Sequence, residues 1–392
     1  MLPEDFAANA PGRVIRSVLG HWTFTPNPLP PPLSIDLPLA RQLSEADQAL
    51  GQLAGVGQRL PNPHLLIRPF ISREAVLSSR IEGTLTTLDQ LFLFEAQPDE
   101  IQYPADAEEV RNYVLAVEHG LEQIRRGCPF SLQLVREVHS ILLQGVRGAE
   151  KRPGEIRSHP VLLGRAGQTY ENARFVPPCH TSLDPLLGDF VRFLREEREL
   201  PLIVQLALMH YQFETIHPFS DSNGRVGRLL ITLMLCERRC LPEPLLYLSA
   251  FFEQNRREYY DGLMEVSRRA AWNEWIAFFA YGVAEQARDA ALRAGRLLDL
   301  WQTYRHRATK IVRSSAVLRL IDELFASPYI TVNRAKEVMG IAYKSANKIV
   351  ERIAEAGILR EVTGQQRYRV YSADEILRLL DESLDPEPTP QP

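Results

Sequence analysis

A chain of 392 residues, 45% hydrophobic and 24% charged, has the composition of an ordinary soluble protein and length enough for two or three domains. Its formal net charge of −4 excludes a globally basic nucleic-acid coat but leaves room for a local basic patch. Four cysteines (Cys128, Cys179, Cys236 and Cys240) form neither a CxxC pair nor a disulfide framework and read as reduced thiols.

The opening "MLPEDFAANAPGRV" places acids first and has no apolar core segment, unlike a secretory signal. The greasiest runs, "PLIVQLALM" and "RLLITLMLC", are too short to cross a bilayer. The expectation is a cytoplasmic protein with no membrane partner. The proline tract "TPNPLPPPL" suits polyproline II and forbids helix, so it either wraps over the folded body or hangs as a linker. Helical spacing follows in "LARQLSEADQALGQLAGVGQRL", and "PFISREAVLSSRIEGT" predicts a second helix opening behind Pro69.

From about residue 105 to 286 nearly every segment scans as helix. The exception, "HPVLLGRAGQTYENARFVPPC", predicts a β-hairpin or flap, with Val161 to Leu163 and Arg174 to Val176 as its arms. Two strongly apolar helices, roughly 202–215 and 223–239, are joined by "IHPFSDSNGRVGR". Beyond residue 313, three short helix patterns, the middle one ending at Gly340, precede "REVTGQQRYRVYS", which turns near Gly364. That order predicts a winged helix-turn-helix. The fold class is therefore mainly α: a helical core with a β-hairpin flap, plus a C-terminal winged helix domain. The segments are an N-terminal arm and helical region (1–105), a core (106–285), a linker helix (286–312), the winged helix (313–380) and a compositionally disordered tail (381–392).

The connection between the two apolar helices concentrates the chemistry. His217 precedes Pro218, which pushes it out of helical geometry onto a loop, where an imidazole can accept a proton from an attacking hydroxyl. "SDSNGR" puts small residues where a new helix begins, exposing backbone N–H groups and a positive dipole end that suit phosphate. Arg225 and Arg228, one turn apart, add guanidinium forks. Asp221 is a lone acid beside that seat, suited to a magnesium ion bridging phosphate oxygens. The plainer alternative is an aspartate cap with surface ion pairs. His210, Glu214 and His217 also share a helical face that could hold zinc, but Pro218 pulls His217 off that register.

"HPFSDSNGRVGR" resembles the signature of the Fic family of AMP-transferring enzymes, HxFx(D/E)GNGRxxR, at every position but one. Ser222 stands where most members have glycine, at a cost if that position needs a positive φ. The resemblance implies that a target protein's Ser, Thr or Tyr hydroxyl attacks the α-phosphate of ATP, leaving AMP on the target. It casts His217 as general base, Phe219 as the loop's anchor and Asp221 as the Mg2+ ligand. Ser222, Asn223 and Gly224 would cradle phosphate, the Asn223 side chain included, and Arg225 and Arg228 would bind the β- and γ-phosphates. In the related Doc branch a lysine replaces the glycine after asparagine, so Gly224 favours nucleotidyl transfer over phosphorylation.

By the same resemblance, the flap (Asn172, Ala173, Arg174, Phe175) docks the target by adding a strand, and Tyr259, Tyr260 and Asn255 line the adenine pocket. "SSRIEG" resembles the family's inhibitory motif (S/T)xxxE(G/N), with Ser78, Glu82 and Gly83 at its fixed positions. There Glu82 would compete with the γ-phosphate for Arg228. A C-terminal winged helix often accompanies such cores.

Ten Lys/Arg face eight Asp/Glu in 313–375, a mildly basic balance in which Lys344, Ser345, Asn347 and Lys348 begin the recognition helix and Arg367 and Arg369 lie on the wing. DNA contact through 313–370 and a homodimer both stay open. Two further readings stand beside autoinhibited AMP transfer: a nucleotide-responsive DNA-binding regulator, and a de-AMPylating hydrolase in which Glu82 orients water.

Overall fold

The computed structural model describes residues 1–17, 20–58, 64–97, 106–164, 167–196, 199–312, 314–365 and 368–381. Arg313, Arg367 and the tail after 381 lie outside them.

The N-terminal arm begins with strands that the sequence reading did not anticipate. β1 (Gly12–Arg16) and β2 (Trp22–Pro26) pair antiparallel, Val14 opposite Phe24. The proline tract then lies over the body, where the Asn27 carbonyl accepts from Gln212 and the Ser34 carbonyl from Asn273.

Two helices follow, α1 (Leu37–Gln58) and α2 (His64–Ile81). Pro69 lies inside α2 rather than at its start. Leu66, Ile67, Phe70 and Ile71 are buried around it, and that packing outweighs the ladder bond a proline cannot donate. Next come α3 (Leu88–Ala96), which Thr87 opens with a capping box to Gln90, α4 (Ala107–Arg125), α5 (Leu132–Leu142) and α6 (Leu183–Glu196).

The centre is α7 (Leu202–Ile216) and α8 (Asn223–Glu237). Both are apolar around most of their circumference, which marks helices enclosed on all sides. α9 (Ser249–Gln254), α10 (Arg256–Arg269) and α11 (Trp272–Ile311) surround them, and Trp275 of α11 donates to the Ala207 carbonyl of α7 at 2.9 Å. α11 runs unbroken through residue 285 to Ile311, so the expected linker helix continues one that begins in the core.

The last described part comprises α12 (Ala316–Ala326), β3 (Tyr329–Thr331), α13 (Val332–Met339), α14 (Tyr343–Glu355), β4 (Arg360–Glu361), β5 (Val370–Ser372) and α15 (Asp374–Asp381). Its antiparallel sheet has the order β3-β5-β4, and Gly340, at φ 66°, ends α13 in the left-handed conformation. This part packs on α2: Arg73 donates to the Leu380 carbonyl, and the Tyr329 hydroxyl meets Asp89 at the start of α3. Among the described residues, no helix is long and apolar enough to cross a membrane.

Candidate active site

The α7–α8 connection is shaped by two non-glycine residues with positive φ. α7 ends when His217 turns left-handed (φ 50°, ψ 63°), its N–H still bonded to Phe213 at 2.9 Å. Ser222 does the same at φ 61°, ψ 15°, so a serine occupies a position that favours glycine. Phe219 is fully buried between them, its ring stacked on His139 at 3.7 Å and 4°. Asn223 closes the turn by accepting from the Phe219 N–H and donating to the Phe219 carbonyl, both at 2.9 Å. Its side chain thus holds the loop through Oδ1 and one of its two amide N–H groups.

Two residues that the sequence reading did not single out fix this loop from outside. Buried Arg157 donates to the carbonyls of His217 (2.8 Å), Pro178 (2.7 Å) and His159 (3.1 Å), and its own N–H bonds the Pro218 carbonyl. His139 donates from Nε2 to the Asp221 carbonyl at 3.2 Å and accepts at Nδ1 from Gly154 at 2.8 Å. Burial lowers its pKa to about 4, which keeps that neutral tautomer.

His217 lines a cavity of about 610 Å³ shared with Glu82, Glu214, Gly224, Arg228 and Tyr259. Its Nδ1 lies 3.3 Å from the Glu214 carbonyl, which can only accept, so the proton sits on Nδ1 and Nε2 carries the lone pair. Burial, and then the Arg157 charge, lower its pKa to about 4. The imidazole is therefore a neutral acceptor at pH 7. The first intrahelical bond of α8 runs from Val226 to Ser222 at 3.0 Å, leaving the N–H groups of Asn223, Gly224 and Arg225 without intrahelical acceptors.

The two motif arginines face different ways. Arg228 borders the cavity: Nε donates to Ser78 Oγ at 2.8 Å, and Nη2 to the Ser78 carbonyl (2.9 Å) and to Glu82 Oε1 (2.8 Å). Glu82 follows the end of α2, with Gly83 at φ 97° behind it. Burial raises the Glu82 pKa, but the Arg228 guanidinium outweighs it and holds the carboxyl below its usual range. A Cβ at Gly224 would come within 2.3 Å of Glu82 Oε1, so the bare glycine lets the carboxylate rest on the α8 N-terminus.

Arg225 points away and is absent from the cavity wall. It donates to Glu109 at 3.2 Å and to Ser222 Oγ at 2.6 Å. Both Nη atoms thus meet buried partners and not the cavity, where the phosphate role expected of Arg225 would place them.

Tyr259 and Tyr260 line the cavity, and the Tyr259 hydroxyl lies 2.7 Å from His210 Nε2. That contact, with His217 off the helical register, removes the geometry a zinc site would need. Asn255 does not reach the wall. Its side chain bonds the Phe251 carbonyl at the α9–α10 junction.

Among its described residues the flap shows one bridge, Leu163 with Phe175, and no regular hairpin ladder. Arg174 and Phe175 line the cavity, Ala173 is buried, and Asn172 closes the turn by accepting from the Thr169 N–H at 2.7 Å. Glu214 is a further residue that the sequence reading placed only in the rival zinc set. Burial lifts its pKa to about 8, and Oε1 has no hydrogen-bond partner among the described residues.

Residues 40–122 match the profile of the Fic/DOC family N-terminal region, and residues 129–235 that of the Fic/DOC family. A probable protein adenylyltransferase of Aquifex aeolicus is 29% identical over 203 residues, covering 50% of this chain and 55% of that protein. A protein adenylyltransferase of Caenorhabditis elegans is 31% identical over 135 residues, 34% of this chain and 23% of that protein. The chain thus spans about half or less of the curated relatives' length. A Fic family protein from Desulfovibrio desulfuricans has the same fold, with a TM-score of 0.56 at 20% identity, covering 88% of this chain and 98% of that one.

Proposed function

The chain belongs to the Fic/DOC family, and from that premise we propose that it is a protein adenylyltransferase restrained by Glu82. The observation that carries the reading is one cavity holding an imidazole lone pair, an open helix N-terminus and Arg228, with Glu82 seated where phosphate would bind.

A target hydroxyl oxygen attacks the α-phosphorus of ATP and its proton passes to His217 Nε2. The bond from the α-phosphorus to the bridging oxygen breaks, pyrophosphate leaves, and AMP remains as a phosphoester on the target. The Asn223–Gly224–Arg225 backbone receives phosphate oxygens and Arg228 the outer phosphate, once Glu82 has withdrawn. Tyr259 and Tyr260 form an apolar wall for the base.

Asp221 fits a magnesium ion. Its Oδ1 is engaged by the Ser222 N–H at 2.6 Å, whereas Oδ2 has no hydrogen bond among the described residues. Bound there, the ion would neutralise charge on the phosphates.

The test uses two radiolabelled substrates. Glu82→Gly protein incubated with ATP labelled on the α-phosphate should transfer label to protein, and His217→Ala in that background should transfer none. Retention of γ-phosphate label instead would make the enzyme a kinase and overturn the reading.

A second reading concerns the C-terminal part, where Tyr343, Lys344, Ser345 and Lys348 are exposed at one end of α14. These residues support contact with a DNA duplex through phosphates. A mobility shift that persists in Lys344→Ala/Lys348→Ala protein would remove it.

A further inference from the structure

The motif position that departs from the family pattern, Ser222, is tied into a buried chain of polar contacts. Its backbone is left-handed, a conformation that costs any residue with a Cβ, so the side chain must return something a glycine would not. The hydroxyl accepts from Arg225 Nη2 at 2.6 Å and donates to Asp221 Oδ1 at 3.3 Å, the same oxygen that takes the Ser222 N–H at 2.6 Å. Behind it, Arg225 Nη1 meets Glu109 Oε2 at 3.2 Å, and both of those side chains are 4% exposed. Arg147 holds Glu109 from its outer side. A continuous line therefore runs from Glu109 through Arg225 and Ser222 to Asp221.

For Arg225 to reach a phosphate in the cavity, it would have to leave the buried Glu109 carboxylate with only the largely exposed Arg147 as its cationic partner, which is unfavourable. Arg228 faces no such barrier, because its acidic partner is one-third exposed at the cavity mouth. With Oδ1 held by two donors from Ser222, the Asp221 carboxylate is fixed about its last torsion and presents Oδ2.

We propose that Ser222 and Arg225 are positioning residues that aim the Asp221 carboxylate at a phosphate-bound divalent cation, and that Arg225 itself touches no phosphate. The inference rests on the nucleotide reading given above. It separates the two motif arginines by role: Arg228 takes phosphate, and Arg225 holds the group that takes the metal.

Calorimetric titrations in the Glu82→Gly background, with ATP and with AMP, each in Mg2+ and in EDTA, test it. Arg225→Gln should leave the metal-free preference for ATP over AMP unchanged and cut the Mg2+ enhancement of ATP affinity by about tenfold. Ser222→Ala keeps the left-handed Cβ and the fold, and should cut the same enhancement by about fivefold. Arg228→Gln should instead lose the metal-free preference for ATP.

Loss of that preference in Arg225→Gln would make Arg225 a phosphate ligand and overturn the proposal. An intact Mg2+ enhancement in both Arg225→Gln and Ser222→Ala would overturn it too, and would leave the adenylyltransferase reading standing. If the Glu82→Gly parent binds no nucleotide under either condition, that reading fails and this inference with it.

Discussion

Arg225 and Arg228 lie one turn apart on α8, yet they occupy opposite kinds of environment. Arg225 is paired with buried Glu109 of α4 and does not line the cavity that holds His217. Arg228 is equally buried, but its acid comes from the turn that ends α2 and stands at the mouth of the cavity. A pair closed on both sides can only hold structure. A pair with one exchangeable partner can hold a ligand in its place, which is how a single helix turn serves both purposes.

The largest effect is expected from breaking the closed pair. Glu109→Ala leaves Arg225 buried with only Ser222 as partner and should lower stability by about 3–5 kcal/mol, read as a fall in melting temperature. Breaking the open pair should do little to stability. Glu82→Gly should melt close to the parent while raising label transfer from ATP by about tenfold or more, because Arg228 keeps both contacts to Ser78. A melting temperature lowered as far by Glu82→Gly as by Glu109→Ala would erase the distinction.

A smaller effect comes from the cavity wall beside Arg228. Glu214 has a folded pKa raised to about 8, so the folded chain holds a proton that the unfolded chain releases above about pH 4.5. Its contribution is fully present below that pH and is lost as pH rises to about 8. Glu214→Gln should therefore gain stability over the parent at pH 8.5 relative to pH 5 in paired urea titrations. Equal differences at the two pH values would place Glu214 in water. The smallest change is Ser222→Gly, where relief of the left-handed Cβ and loss of the bond to Arg225 oppose each other, so stability should move by less than about 1 kcal/mol in thermal melts.

Much of the open side was legible in the sequence. Pro218 marks the end of α7, the small residues before Arg225 mark the start of α8, and Ser78, Glu82 and Arg228 come together as their motifs suggested. The closed side was not legible. Glu109, His139 and Arg157 each sit inside or beside segments whose periodicity or polarity explains them without a site, and the loop and α8 residues they hold lie 60 or more residues away. The family resemblance implies ligand contacts for Asn223 and Asn255. The loop and the helix junction each hold the side-chain amide. The N-terminal strands did leave a signal, with "RVIR" and "WTFTP" flanking Gly20, but alternation over so few residues is weak beside the proline tract that follows.

The central claim is that Glu82 occupies the place of the outermost phosphate on Arg228. Titrating the intact chain and Glu82→Gly with ATP and with AMP tests it most directly. The account predicts that removing Glu82 strengthens ATP binding by about tenfold or more while AMP, which lacks that phosphate, binds both proteins alike. An equal gain for both nucleotides, or none for ATP, would contradict it.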